Sequence, residues 1–412
     1  GTPSIDLIPD WGKIKVKVVI PRFSVDIDVP ISGFACPDFS GDASATSITI
    51  NADLNLAIDP QGKPLATISN PDVVVSGLDV DVDGIWGFLF NWIIDFFEDN
   101  FADMIEDEFE TQLAGQLSEL VRGAVADLAL DPEFPVPELL PGMTPVTLQM
   151  KSKFSTISIT PEGSDIGLAA VVLPDAAQTP PAVLLGSIGR GACLGTDPGI
   201  PAFPHTYEMG LMAKDDFLNE ALYAIWASNG LKIPVGPEML GDFDLSEFGI
   251  SNLSLNVDFQ LPPLISDCNL EHKMFFEAGD IRVNAGMKLL GSQVDMVMYA
   301  SLIAEARIVL VPGATGTEVG IQIETPLFID IEVAQIAGGL VGAEDTISSL
   351  IRTVALPMVL DLLSGDTLAS FQLPSIDLSS LAEGFPAGSV IEIDMKEVNR
   401  SRGATIVLGN VK

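Results

Sequence analysis

Lys214 to Leu231 has the sequence KDDFLNEALYAIWASNGL, and this stretch indicates more about the fold than any other part of the chain. Asp215 and Asp216 fall in a first helical turn, where the helix dipole favours anions. Asn229-Gly230 supplies a left-handed helix end. Its apolar residues recur at helical spacing and form one wide face: Phe217, Leu218, Ala221, Leu222, Ile225 and Trp226. The stretch predicts one amphipathic helix with a defined stop.

Strand patterns surround this helix on both sides. Apolar and polar residues alternate in several runs between residues 13 and 82, which is the period of strands with one buried face. The same alternation returns at residues 146–173 and in runs between residues 253 and 323. We therefore expect long antiparallel strands in both halves of the chain.

Two further segments have helical spacing and are much longer. Residues 86–130 combine apolar positions with a run of acids, and residues 334–363 form a second segment that Pro357 should kink. Each half then has a Phe-x-apolar-Pro step back into strand. This shared order suggests a duplicated unit of twisted strands wrapped round a helix.

Length and composition bound the class of protein. A chain of 412 residues exceeds one ordinary core, so we expect two domains. Hydrophobic residues make up 47%, yet no run reaches the ~18–20 apolar residues that span a bilayer. The formal net charge of −37 disfavours binding to nucleic acid and to anionic membranes, because phosphate contacts need Lys and Arg. This charge serves solubility, adaptation to a salty medium that screens self-repulsion, or a cationic partner.

Cysteines and histidines offer little chemistry. The three cysteines have no CxxC spacing, so we expect no metal site, and one disulfide with one free thiol is plausible in an exported chain. The three pairings stay open; we favour Cys193–Cys268 because both lie in the second half. The only histidines, His205 and His272, leave few bases for nucleophilic catalysis. We expect a protein that is not an enzyme.

Three segments, in order, resemble the tubular lipid-binding superfamily, to which the bactericidal/permeability-increasing and lipopolysaccharide-binding proteins belong. Val146-Thr147-Leu148-Gln149-Met150-Lys151-Ser152-Lys153-Phe154 resembles the family's first-domain strand that feeds a central sheet. Residues 207–231 resemble the strand and helix that open its second domain. Phe371-Gln372-Leu373-Pro374 and the strands ending at Val411 resemble its return to the central sheet. The chain departs from the family pattern in two ways. Family members open with a helix, whereas this chain begins in a strand pattern. They also have a disulfide to the long first-domain helix, whereas residues 86–130 contain no cysteine.

The resemblance implies an α+β fold: an elongated two-domain boomerang, each domain a long twisted antiparallel barrel wrapped on a long helix, joined by a central sheet. We expect an N-terminal barrel domain at residues 1–174, whose first helix is absent or truncated. A Pro/Gly-rich linker follows at 175–205 and a C-terminal barrel domain at 206–412.

The implied function is non-catalytic binding and transport of a phospholipid, fatty acid or sterol in apolar grooves between helix and sheet. We expect no cofactor besides bound lipid, transient membrane contact and a location outside the cytoplasm, secreted or periplasmic. The alternative is a structural or surface interaction module with side-chain-filled barrels and an acidic protein-binding surface. The candidate lipid contacts are Trp86, Phe90, Ile93, Phe97, Phe101, Leu218, Leu222, Ile225, Trp226, Met287, Met296, Met298, Leu340, Ile347 and Ile351.

Overall fold

The structure is a computed structural model. It describes residues 4–29, 39–77, 79–82, 133–136, 144–175, 201, 203–204, 206–235, 246, 249–266, 274–312, 317–338, 367–371, 376–377, 390–391 and 393–411. In these residues the fold is antiparallel β with one helix, α1 (Asp215–Ala227).

The chain divides into two compact units. The first unit contains Gly1–Leu130, Ser152–Ala169 and Ser379–Phe385, and the second contains Asp131–Lys151, Ala170–Leu378 and Pro386–Lys412. The predicted linker at 175–205 lies outside the described residues except at 175, 201 and 203–204, so the predicted domain boundaries stay a prediction.

The first unit contains an antiparallel sheet of five strands. They are β1 (Ser4–Asp10), β2 (Lys13–Val29), β3 (Phe39–Ile58), β4 (Pro64–Ser76) and β5 (Asp79–Val82). The order is β1-β2-β3-β4, and β5 pairs with β3. Alternate positions of β2, β3 and β4 supply its core, with Ile48, Ile50 and Val73 buried at the centre. This is the half-buried strand pattern that the sequence predicts.

Three strands at residues 133–173 form a separate sheet, in the order β6-β7-β8. They are β6 (Glu133–Val136), β7 (Val146–Thr160) and β8 (Gly163–Leu173). Both β7 and β8 contain residues of each unit, because the first unit takes Ser152–Ala169 and the second takes the residues on either side.

The second unit has a seven-stranded antiparallel sheet in the order β10-β11-β13-β14-β15-β16, with β12 on β13. A three-stranded sheet, β19-β20-β9, leads into α1. The strands are β9 (Met209–Lys214), β10 (Lys232–Val235), β11 (Ile250–Phe259), β12 (Leu264–Ser266), β13 (Met274–Leu289), β14 (Ser292–Pro312), β15 (Thr317–Gly338), β16 (Thr367–Phe371), β17 (Ile376–Asp377), β18 (Val390–Ile391), β19 (Ile393–Ser401) and β20 (Ala404–Val411).

The expected α+β architecture, with each barrel wrapped on a long helix, is wrong. The predicted helix at 86–130 lies outside the described residues. The predicted helix at 334–363 is contradicted where it is described, because β15 continues to Gly338 and pairs with β14 as far as Val294. Val333 and Ile336 pack on that sheet. A continuous ladder of backbone hydrogen bonds therefore overrides the local helical spacing.

Candidate functional site

The N-terminal end of α1 is fixed by a buried ion pair. Arg400 on β19 donates from both terminal nitrogens to the carboxylate of Asp215, at 2.9 and 2.7 Å, and also to the hydroxyl of Thr405 at 2.8 Å. The Asp215 amide donates to the Gly403 carbonyl at 2.8 Å. The β19–β20 hairpin thereby sets the position of the helix.

Two polar side chains attach the body of α1 to its neighbours. Asn219 is fully buried; its amide nitrogen donates to the Ile265 carbonyl at 2.9 Å, and the Ile265 amide donates to its oxygen at 2.6 Å. The Asn219 side-chain amide therefore pairs with the backbone of β12 as a neighbouring strand would. One residue before the helix end, the Trp226 indole donates to the Phe259 carbonyl at 2.6 Å.

The apolar residues of α1 divide between two clusters. Ala224 and Ile225 lie in a buried cluster with Val146 and Leu148 of β7, and Phe217, Ala221 and Trp226 pack against it. Leu218 and Leu222 instead pack on a second cluster, which we call the helix-covered cluster. Its buried members are Ile265, Met274, Leu302, Ala304, Ala306 and Ile323.

A third cluster lies farther along the same sheet, and we call it the methionine cluster. Ala285, Val294, Met296 and Met298 are its buried members. Leu255, Val283, Met287, Leu289, Val333 and Ile336 pack against it. All ten belong to β11, β13, β14 or β15, and among the described residues α1 contributes to the helix-covered cluster but not to this one.

Strand register assembles the methionine cluster. Met296 lies opposite Ala285 on β13 and opposite Ile336 on β15. Met298 lies opposite Val283, and Met287 lies opposite Val294. Thioether side chains are unbranched and polarizable, so they adapt to apolar partners of varied shape. The result is a contiguous apolar surface with one small position, Ala285, on the neighbouring strand.

The inner row of β14 is apolar along its length. The alternate positions from 294 to 306 are Val294, Met296, Met298, Ala300, Leu302, Ala304 and Ala306. A row without polar anchors suits an alkyl chain, which needs no directional partner. The two ends of this row differ in one respect: Leu302, Ala304 and Ala306 belong to the helix-covered cluster, on which Leu218 and Leu222 of α1 pack.

The sequence-predicted lipid contacts are therefore distributed over three places. Ile225 and Trp226 lie with β7, Leu218 and Leu222 lie on the helix-covered cluster, and the three methionines lie together. The other candidates lie outside the described residues: Trp86, Phe90, Ile93, Phe97, Phe101, Leu340, Ile347 and Ile351. Cys193 and Cys268 do so as well, so their disulfide and all the lipid contacts stay predictions.

Sequence reasoning missed the non-methionine members of the methionine cluster. Leu255 and Ala285 are ordinary strand residues in sequence, and Ile336 lies in the segment 334–363 that the sequence predicts to be helical. Only the registers β11–β13, β13–β14 and β14–β15 bring the three into one cluster with Met296. The usable signal was the alternation in β13 and β14, which gives the faces but not the pairing.

In the described part of the chain, no helix has the length and apolarity that a bilayer crossing requires. Within the ranges that the structure describes, no three His, Cys, Asp or Glu side chains come together in a way that could hold a metal ion.

Comparison with solved structures gives weak likenesses. No protein-family model matches this chain, and no curated protein matches its sequence. A lipopolysaccharide binding protein aligns with 100% of this chain and 85% of its own, at 14% identity and a TM-score of 0.40. P47 of Clostridium botulinum E1 aligns with 99% of this chain and 88% of its own, at 10% identity and a TM-score of 0.30. P47 from Clostridium botulinum A2 aligns with 99% of this chain and 87% of its own, at 10% identity and a TM-score of 0.26. Scores below 0.5 do not establish a shared fold, so the family membership stays a prediction.

Proposed function

We propose that this protein is a non-catalytic lipid carrier that binds the acyl chain or ring system of a phospholipid, fatty acid or sterol on the methionine cluster. The supporting observation is the register that places Met287, Met296 and Met298 on one sheet face. Among the described residues, α1 does not pack on this part of the face. We place the carrier outside the cytoplasm, secreted or periplasmic.

The energetics of this surface favour an alkyl ligand. Each methylene moved from water to an apolar surface contributes roughly 0.8 kcal/mol, so ten contribute about 8 kcal/mol before the cost of association. Micromolar affinity corresponds to about 8 kcal/mol, which longer acyl chains reach without strong polar anchors. Because the contacts are non-directional, selectivity depends on the length and width of the space rather than on hydrogen bonds.

Ala285 provides a sharp test of this proposal. It is 3% exposed and lies between Leu255 and Met296 at the centre of the cluster. If the space beside it holds a ligand, Ala285→Leu fills that space: a fluorescent fatty acid binds about tenfold more weakly, and the free energy of unfolding changes by less than about 1 kcal/mol. Titration of the full-length protein with the probe, together with urea unfolding, measures both quantities.

Ala304 is the matched control. It is 0% exposed and belongs to the helix-covered cluster, where Leu218 and Leu222 already pack. Ala304→Leu should overpack this region and lower the free energy of unfolding by about 1–3 kcal/mol, with probe affinity retained. The proposal fails if Ala285→Leu destabilises the protein as Ala304→Leu does and leaves probe affinity unchanged.

A second function is favoured by the outer face of the same sheet. Ile303 lies opposite Phe328, and Leu327 adjoins them where the register between β14 and β15 shifts; all three are exposed. Such a patch suits a protein-binding surface. The second function is therefore an interaction module whose interior is filled by side chains, and the net charge of −37 favours a basic protein as its partner. A destabilising Ala285→Leu, with no lipid recovered by organic extraction and mass spectrometry of the purified protein, would support this function instead.

A further inference from the structure

The β1–β2 hairpin of the first unit exposes an unusual group of large apolar side chains. Trp11, in the turn, is 72% exposed, and Leu7 and Ile8 on β1 are 61% and 53% exposed. Single exposed apolar residues are common on protein surfaces, but three within five positions of one hairpin form a local feature. We propose that this hairpin docks the protein on the surface of a zwitterionic phospholipid membrane.

Backbone hydrogen bonds fix the turn that contains Trp11, and they do not involve the Trp11 indole. The Trp11 amide donates to the Asp10 carboxylate at 2.9 Å, and the Gly12 amide donates to the Ile159 carbonyl at 3.0 Å. Gly12 has a φ of +73°, a conformation that glycine adopts without steric cost. A fixed backbone with an exposed indole loses little conformational entropy on contact, and indole favours the boundary between water and hydrocarbon.

The exposed residues lie on both faces of the hairpin, which favours a lipid phase over a protein partner. Leu7 lies opposite the buried Val16 and so shares the inner face, while Ile8 lies opposite Lys15 on the outer face. A protein that packs on one face of a hairpin covers one of these residues. Lipid headgroups and upper acyl segments surround an inserted hairpin and cover both, along with Trp11.

The local charge of the hairpin fits a zwitterionic surface. Residues 4–20 contain three lysines and two aspartates, whereas the whole chain has a net charge of −37. Lys15 pairs with Asp10 at 2.8 Å, and Lys13 pairs with Asp53 of β3 at 2.8 Å. The lysine beside each carboxylate holds the pKa of Asp10 and of Asp53 below the usual value, which favours the ionised form of both carboxylates. The remaining acidic surface repels anionic lipid.

A second copy of the chain would use the same hairpin differently. β1 pairs only with β2 among the described strands of its sheet, and strand-to-strand association would have to extend that edge. Pro9 interrupts the edge because it has no amide hydrogen to donate, a common protection of exposed strands. This favours the membrane over self-association.

The test is flotation of the full-length protein with phosphatidylcholine vesicles, compared among variants. We expect Trp11→Ser and Leu7→Ser/Trp11→Ser to lower the partition coefficient by at least about tenfold. Leu290→Ser is the matched control, because Leu290 is 83% exposed in another two-residue turn, Leu290-Gly291, in the second unit. The control should bind vesicles as the unaltered protein does. Circular dichroism should show that all these surface variants fold.

Two further arms separate the possible outcomes. Trp11→Phe should keep vesicle binding but lose the part of the tryptophan emission that brominated phosphatidylcholine quenches. Replacing phosphatidylcholine by phosphatidylglycerol should weaken binding at low salt, because of the net charge. Vesicle binding that the Ser variants do not change, or a dimer in sedimentation equilibrium that Trp11→Ser dissolves, would overturn the proposal. Uptake of a soluble acyl probe should be unchanged in these variants, so failure here is distinguishable from failure of the carrier function.

Discussion

Asp215 and Arg400 connect the start of α1 to β19 through a pair of charges that is almost completely removed from water. Taking two charges out of water costs several kcal/mol each, and the attraction between them offsets that cost only while both are present. The pair therefore fixes the position of the helix more than it stabilises the fold. From the sequence, Asp215 was expected to act only through the helix dipole, since its partner is 185 residues away.

We predict that Asp215→Ala lowers the free energy of unfolding by about 3–5 kcal/mol, because it removes the carboxylate to which both terminal nitrogens of the buried Arg400 donate. Asp215→Leu combined with Arg400→Met should restore most of that loss. Asp394→Ala is the control. Asp394 pairs with Lys396, each side chain is 43% exposed, and the pair should contribute about 1 kcal/mol or less to the free energy of unfolding. Urea unfolding measures all three. Equal losses for Asp215→Ala and Asp394→Ala would contradict this account.

The helix α1 confirms the sequence prediction in where it begins and how it ends. The helix covers Asp215–Ala227, and Asn229 follows with a φ of +60°. Gly230 has a different reason to be glycine, since a Cβ there would lie 2.9 Å from Ile225 and 3.2 Å from Val146. The predicted single apolar face is wrong in detail, because the helix packs into two clusters and also buries Asn219. Local spacing gives the helix, but not the number of partners around it.

Asn219 provides the test at this scale. We predict that Asn219→Ala lowers the free energy of unfolding by about 2 kcal/mol or more, because the buried amide and carbonyl of Ile265 both lose their partner. Hydrogen exchange at the Ile265 amide should speed up in the same variant. Asn256→Ala, at an exposed position of β11, should change neither quantity. Unchanged exchange at Ile265 would show that β12 does not depend on the helix.

Across the whole molecule, the sequence predicted where the strands lie better than how they pair into sheets. The alternating runs at 13–82, 146–173 and 253–323 are strands, and several are longer than the runs that predicted them. The methionines were named individually, yet their grouping depends on registers between residues far apart in the chain, which no local pattern contains. The predicted helix at 334–363 failed in its first residues for the same reason, because pairing with β14 decides that segment.

The proposed carrier function requires that an acyl chain lies on the methionine cluster. The most direct measurement is photo-crosslinking of the full-length protein with a fatty acid that carries a diazirine in its chain, followed by mapping of the modified peptides by mass spectrometry. We predict adducts on the peptides that contain Val283–Met287 and Val294–Met298, reduced by competing unlabelled fatty acid and by Ala285→Leu. Specific adducts confined to other peptides, or labelling that competitor does not reduce, would contradict it.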